Sequence, residues 1–287
     1  MPELPEVEVV KRSLEKYILN KNLLKIIVKN KKLRFPVPKN LSKKLSSLKI
    51  IKIERISKYV VIEFEKSLFL IIHLGMSGTL HLIKNVKNFE NTNLSFYHSK
   101  NLPTKHNHIF FNFKNFRIIF NDPRRFGFIK LISGKVSLSN YFKQLGPDPF
   151  EKKFNLSYVK QYFKKKVKNI KCMLIDQNFI SGIGNIYASE ILNYSKINPL
   201  KLSYKINDKE INSIIYNTKK VLRQSIEMGG TTINNFHSVK GKKGNYQKEF
   251  RAYNRESKRC KNKLCSGVII KINISNRSTY MCNICQK

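Results

Sequence analysis

The chain opens Met1-Pro2-Glu3-Leu4-Pro5-Glu6, which puts a ring-constrained secondary amine one methionine from the first residue and two carboxylates beside it. With Met1 removed, the Pro2 amine has a generic terminal pKa of about 7.7–8.0 against about 10.4 for a lysine, so near neutral pH the free base is favoured by roughly a few hundredfold. Proline is more basic than a generic α-amine, which narrows the margin. It still attacks a carbonyl to give an iminium, the Schiff-base route of covalent catalysis. The same residues also read as a helix opening at Leu4 or Pro5, with acids favoured by the helix dipole.

Four of the five cysteines fall in the last 28 residues: Cys260, Cys265, Cys282 and Cys285, spaced C-x4-C-x16-C-x2-C. A β-hairpin with strands in Val268–Ile274 and Ser278–Met281 would bring the two pairs together. Four thiolates suit one tetrahedral zinc with no open position, hence a structural site that cannot activate a nucleophile. A zinc nucleobase deaminase is disfavoured, since no histidine begins the H-x-E element that class requires. Cys172, within the apolar run Cys172-Met173-Leu174-Ile175, reads as a core residue.

Lys+Arg 56 against Asp+Glu 18 leaves a formal net charge of +38, so a polyanion is the expected partner, DNA or RNA ahead of an anionic membrane. Lysine, asparagine and isoleucine are abundant throughout, as a coding bias toward A+T produces, so the charge overstates the strength of that binding. No apolar stretch approaches the roughly 20 residues of a membrane helix, and the acidic opening is unlike a signal peptide. An intracellular, cytoplasmic protein follows, in which cysteines are poor disulfide candidates.

Three turns could hold DNA. Gly182-Ile183-Gly184-Asn185-Ile186-Tyr187-Ala188 lacks the third glycine and the leading strand of a dinucleotide fingerprint. It reads instead as a glycine turn opening a helix, either a phosphate site using Asn185 or a tight helix–helix turn. Asp122-Pro123-Arg124-Arg125-Phe126-Gly127 and His73-Leu74-Gly75-Met76-Ser77-Gly78 carry an aromatic, a cation and a flexible apolar side chain. Such residues can fill the gap left when a base leaves the stack, and each can equally be core or surface.

These residues need a scaffold. Val7, Val10, Leu14, Tyr17 and Ile18 mark one face of a helix over Glu6–Leu19. Seven segments rich in β-branched and aromatic residues predict strands: Leu23–Lys29, Leu48–Ile56, Tyr59–Phe64, Leu68–Leu74, His108–Phe113, Phe116–Asn121 and Phe126–Leu131. Residues 84–105 read as a long polar connection. After Gly146-Pro147-Asp148-Pro149 the period becomes helical, around 155–165, 184–194 and 208–228, the last opened by an Asn207/Glu210 capping box and ended by Gly229-Gly230. Residues 234–245 read as a mobile loop. Strands followed by helices argue for two domains around a hinge near 132–150.

Taken in order, Pro2–Glu6, Ser57-Lys58-Tyr59, the Met76 turn, Asp122–Gly127, Gly182–Glu190, Gly229-Gly230-Thr231-Thr232 and the cysteine hairpin resemble bacterial formamidopyrimidine-DNA glycosylases over essentially the whole chain. The resemblance implies an α+β chain: an N-terminal β-sandwich with its helix (1–135), a hinge, helix-two-turns-helix domain and lesion-capping loop (136–251), and a zinc hairpin (252–287). It implies a monomer acting on damaged double-stranded DNA, with no membrane, that excises oxidised purines and then cuts the strand. Pro2 would attack the deoxyribose C1′, Glu3 would supply or relay protons, and Glu6 would support that geometry. Lys58 matches the lysine credited with proton donation in β-elimination, and Arg277 the hairpin arginine linked to δ-elimination. Both also suit phosphate contact, and a guanidinium of pKa above 12 is a poor acid, which favours an electrostatic role for Arg277. Met76, Arg124 and Phe126 would fill the void, while His106, Lys166 and Asn185 would bind the DNA backbone.

Two departures stand out. Ile233-Asn234-Asn235 lacks the basic character often found in the capping loop, and the first knuckle is C-x4-C where C-x2-C is usual. The sister endonuclease VIII type, acting on oxidised pyrimidines, is the nearest rival; Leu4 and the Arg124–Phe126 wedge favour the purine enzyme. A damage-binding protein without catalysis is the other alternative, opposed by the retained Pro2, Glu3 and Lys58.

Overall fold

The computed structural model describes residues 1–84, 90–92, 104–164, 166–231 and 244–287, with backbone alone at 84 and 90–92. The connection expected over 84–105 and the loop after Thr232 lie largely outside these residues. The described residues form two compact units, one from Met1–Lys143 with the described part of Met228–Asn245, the other from Gln144–Glu227 with Tyr246–Lys287.

The first unit begins with helix α1 (Leu4–Ile18), strand β1 (Lys25–Val28) and a short α2 (Leu41–Leu45). There follow β2 (Ile50–Ile56), β3 (Tyr59–Phe64), β4 (Leu68–His73), β5 (Thr79–Lys84), β6 (Glu90–Thr92), β7 (Asn107–Asn112), β8 (Phe116–Asn121), β9 (Phe128–Ser133) and α3 (Lys135–Phe142). The strands make two antiparallel sheets, ordered β1-β7-β8-β5-β6 and β2-β3-β4-β9. Ile62, Leu70 and Ile72 from the smaller sheet share one apolar core with Leu80, Ile109, Phe111 and Phe120 from the larger, so the sheets pack face to face. Val7, Val10, Leu14 and Ile18 of α1 enter the same core, on the face their spacing predicts. Val61, Phe69 and Ile71 point the other way, onto Leu138, Tyr141 and Phe142 of α3. With both faces covered, β3 and β4 read as continuous apolar runs.

The sequence reading leaves out β5 although Thr79-Leu80-His81-Leu82 alternates polar with apolar, and in the structure Thr79 and His81 are as buried as Leu80 and Leu82. The two polar side chains satisfy each other, Thr79 Oγ1 lying 2.7 Å from His81 Nε2.

The second unit contains α4 (Leu156–Phe163), α5 (Ile170–Ile175), α6 (Asn185–Ser195), α7 (Asp208–Glu227) and the hairpin β10 (Ile269–Ile274) with β11 (Arg277–Cys282). Asn155 caps α4 and Asn169 caps α5. On α7 the capping box forms as its residues predict: Asn207 N donates to Glu210 Oε2 and Glu210 N to Asn207 Oδ1, both at 3.0 Å. Ile186, Tyr187, Ala188, Ile191 and Leu192 make α6 the buried central helix. Cys172 corrects the sequence reading. It is half-buried, with Sγ 3.2 Å from Ser275 Oγ at the hairpin tip, while its neighbour Lys171 is the one fully buried. Among the described residues no helix is long and apolar enough to cross a membrane.

Leu70, with no exposed surface between two covered faces, tests this packing. Leu70→Ala is expected to cost about 2–5 kcal/mol, read as a lowered calorimetric transition. A loss below about 1 kcal/mol contradicts the two-faced burial.

Candidate active site

At the start of the chain Met1 is 49 % exposed and Pro2 half-buried. Glu3 is the N-cap of α1 and is buried, its carboxylate accepting from the Glu6 N–H while its own N–H donates to Glu6 Oε2 at 2.8 Å. This reciprocal pair is a capping box built from two acids. The other oxygen, Glu6 Oε1, accepts Thr231 N at 2.9 Å and Thr231 Oγ1 at 3.0 Å. Gly229 and Gly230 bring Thr231 there with φ of 80° and 79°, and a Cβ on Gly230 would lie 3.1 Å from Glu6 Oε1. Burying Glu6 is therefore offset by charge-assisted bonds from both sides. The helix opening read from this hexapeptide is realised, and its cap holds Glu3 in place.

Lys58 sits in the two-residue turn between β2 and β3, after Ser57 at φ 54°. Arg55 braces this turn, giving Nη1 to Ser57 O at 3.2 Å and Nε to Glu8 Oε2 at 2.9 Å on α1. Lys58 is itself buried, and its charge reaches His73 at the end of β4. Burial first, then Lys58 and Arg34, push the His73 imidazole down to about 4. Its ring stacks on Phe128 at 5.2 Å and its Nδ1 accepts from Gly75 N at 3.1 Å. Sequence reasoning passed over His73; its place just before the Met76 turn was the available signal.

Asp122, wholly buried, joins the Met76 turn to the arginine turn. Ser77 Oγ donates to Asp122 Oδ1 at 2.5 Å, Gly127 N to Asp122 Oδ2 at 2.7 Å, and Arg124 N to Ser77 Oγ at 3.2 Å. Gly75, at φ 64°, lies so close that a Cβ would come within 2.4 Å of Gly127 N. Met76 and Phe126 are left 47 % and 41 % exposed, and the Arg124 guanidinium rests 4.6 Å over the Phe126 ring. His106 is tied to the same place, its carbonyl accepting from Asp122 N at 3.1 Å. The structure thus gathers the turns bearing Met76, Arg124 and Phe126, and the His106 backbone, around Asp122.

In the second unit Asn185 opens α6 after the Gly182–Gly184 turn, with Nδ2 donating to Ser278 O at 2.9 Å and Oδ1 buried without a partner. Arg277 is exposed at the start of β11, just past the Ser275-Asn276 turn (φ 49° and 59°). Lys171, which the sequence reading did not single out, also reaches this tip, bonding Thr279 Oγ1 and approaching Ser278 O. Burial pulls its ammonium down to about 8, opposed by Cys172 and aided by Arg277. A cation inside the run Ile170–Ile175 was the sign of it. Lys166 stands apart from this tip: it is exposed after α4, its ammonium 5.4 Å from the Tyr162 ring centre. Glu190, also missed, is buried in α6 and accepts the N–H groups of Arg251, Ala252 and Tyr253 at 2.7–3.0 Å, fixing the chain that leads to the cysteines.

The four sulfurs of Cys260, Cys265, Cys282 and Cys285 lie within 4.8 Å of one another, close enough to hold one metal ion. Asn262 N, Gly267 N and Ile284 N each point at a sulfur at 3.4 Å, the arrangement that favours thiolate ligands. Burial raises Cys282, while the N–H groups of Cys285 and Ile284 together with the Cys265 and Cys285 thiols bring it down to about 7.

Two outcomes are expected from this geometry. Gly230→Ala should destabilise the protein and slow turnover, since the methyl meets Glu6 in a conformation only glycine takes freely; unchanged melting and rate contradict the strap. His73 should stay neutral down to about pH 4 by NMR. Because its folded-state pKa is depressed, it contributes stability above about pH 6.5 that is lost as pH falls toward 4, and His73→Gln should remove that part of the pH dependence.

Residues 1–129 match the family model for the formamidopyrimidine-DNA glycosylase N-terminal domain, and residues 145–237 the one for the formamidopyrimidine-DNA glycosylase H2TH domain. The formamidopyrimidine-DNA glycosylase of Rickettsia bellii (strain OSU 85-389) is 38% identical over 288 residues, covering 100% of both chains. Among solved structures, a Lactococcus lactis Fpg mutant in complex with Fapy-dG containing DNA matches with TM-score 0.87 at 30% identity over 100% of both chains. The Lactococcus lactis Fpg with abasic site containing DNA matches equally, TM-score 0.87 at 30% identity over 99% of both. With both family models matched and a relative 38% identical over its full length, this chain belongs to the formamidopyrimidine-DNA glycosylase family.

Proposed function

We propose that this protein excises oxidised purines from duplex DNA, formamidopyrimidines and 8-oxoguanine opposite cytosine, and then cuts the abasic strand by β,δ-elimination. The observation that carries the reading is the buried Glu6 carboxylate, which holds the Pro2-Glu3 opening between α1 and Thr231. Once Met1 is removed, the Pro2 amine attacks C1′ of the damaged nucleotide. The base leaves, and the sugar ring opens as its O4′ takes a proton supplied or relayed by Glu3. The resulting iminium acidifies C2′, so the 3′ phosphate is lost by β-elimination and the 5′ phosphate by δ-elimination.

Lys58 acts at the β step as proton donor or phosphate clamp, and Arg277 at the δ step through its charge. Met76, Arg124 and Phe126 occupy the space the base vacates, while His106, Lys166 and Asn185 bind backbone phosphates. Flipping the nucleotide costs a few kcal/mol, which phosphate contacts offset and a damaged pair lowers. The chemistry lies in residues 1–135, the hinge, helical domain and capping loop in 136–251, and the hairpin in 252–287. The cysteine tetrad would hold zinc, which supplies a closed four-thiolate cross-link behind the Arg277 tip. The protein acts as a monomer in the bacterial cytoplasm, on the nucleoid.

Excision rates on duplexes bearing oxidised purines or oxidised pyrimidines test the substrate class. Faster release of the purines is expected; a reversed order assigns the endonuclease VIII specificity instead. Pro2→Gly should abolish most turnover and leave lesion affinity largely intact, whereas Cys282→Ser should cost metal and DNA binding. Equal loss of affinity in both contradicts this division of labour. Affinity should also fall steeply with salt.

A further inference from the structure

The first cysteine pair spans Lys261-Asn262-Lys263-Leu264, and of these four only Asn262 turns inward, 6 % exposed, while Leu264 projects fully into solvent at φ 60°. The Asn262 amide uses both of its ends. Oδ1 accepts from Arg251 Nη1 at 2.9 Å, and Nδ2 donates to Asn193 O at 3.2 Å, in the last turn of α6, and to Cys285 Sγ at 3.1 Å. Reversing the amide would set donor against donor at Arg251 and oxygen against oxygen at Asn193, so its neighbours decide its orientation. Arg251 is itself held, with Nη2 on Lys261 O at 3.2 Å and its guanidinium 4.3 Å over the Tyr194 ring.

The other three sulfurs each receive a backbone N–H from two residues further on, whereas Cys285 receives this side-chain amide. Resting on the zinc reading above, we infer that Asn262 is the hydrogen-bond donor to the fourth ligand and sets how tightly the tetrad holds its metal, a role the C-x4-C spacing makes possible. An N–H aimed at sulfur stabilises negative charge where four thiolates crowd one cation, and fixes the direction of the sulfur. Outer-shell partners of this kind are worth about 10–100-fold in metal affinity.

The test uses the full chain as wild type, Asn262→Ala, Asn262→Asp and Leu264→Ala. Zinc release to an excess of a chelating dye is timed, and the sulfur-to-metal charge-transfer band is recorded after cobalt substitution. Both Asn262 variants should release zinc about 10–100-fold faster and shift the band, while Leu264→Ala behaves as wild type. Asn262→Asp keeps the acceptor for Arg251, so it decides the matter should the alanine variant fail to fold. Release at the wild-type rate with an unshifted band, in zinc-containing protein, overturns the role of Asn262 and leaves the zinc reading standing. A wild-type protein that binds no zinc overturns that reading and this inference together.

Discussion

The Glu6 carboxylate is the constraint on which the rest of the candidate site depends. One of its oxygens closes the cap of α1 on Glu3, and the other takes the N–H and hydroxyl of Thr231 just beyond the Gly229-Gly230 turn. A chain start ordinarily frays, because nothing ties it down. Here it is tied twice, by helix capping and by a strap from more than two hundred residues away in sequence. These ties give the nucleophile proposed at Pro2 a fixed support.

The same device recurs. Asp122 holds the Met76 and Arg124–Phe126 turns together, and Glu190 gathers three N–H groups of the segment leading to the cysteines. In a chain with 56 basic and 18 acidic residues, these three acids are buried and serve the backbone, while Arg124, Lys166 and Arg277 stand exposed. The division has a physical logic. A buried carboxylate surrounded by N–H donors shapes a loop, and the exposed cations remain available to a polyanion.

Much of this was legible in advance. The apolar spacing of α1, the exact bounds of β3 and β8, the Asn207/Glu210 cap and the cysteine cluster follow from local rules, and the structure contains them. What local rules missed depends on contacts distant in sequence. Thr79 and His81 of β5 are polar yet buried beside β8, where Thr79 Oγ1 donates to Asn121 O, and Lys171 is buried where the hairpin tip offers it Thr279. Cys172 shows the converse error, an apolar context that did not make it core. His73 and Glu190 looked ordinary in sequence; only the packed structure reveals what surrounds them.

The central claim is that the secondary amine of Pro2 becomes bonded to the sugar of a damaged nucleotide. Borohydride reduction during turnover, followed by peptide mapping of the protein–DNA adduct by mass spectrometry, reads that bond directly. The account predicts a single adduct on Pro2 of chains that have lost Met1. An adduct on Lys58 or another lysine, or full activity in protein that retains Met1, would contradict it.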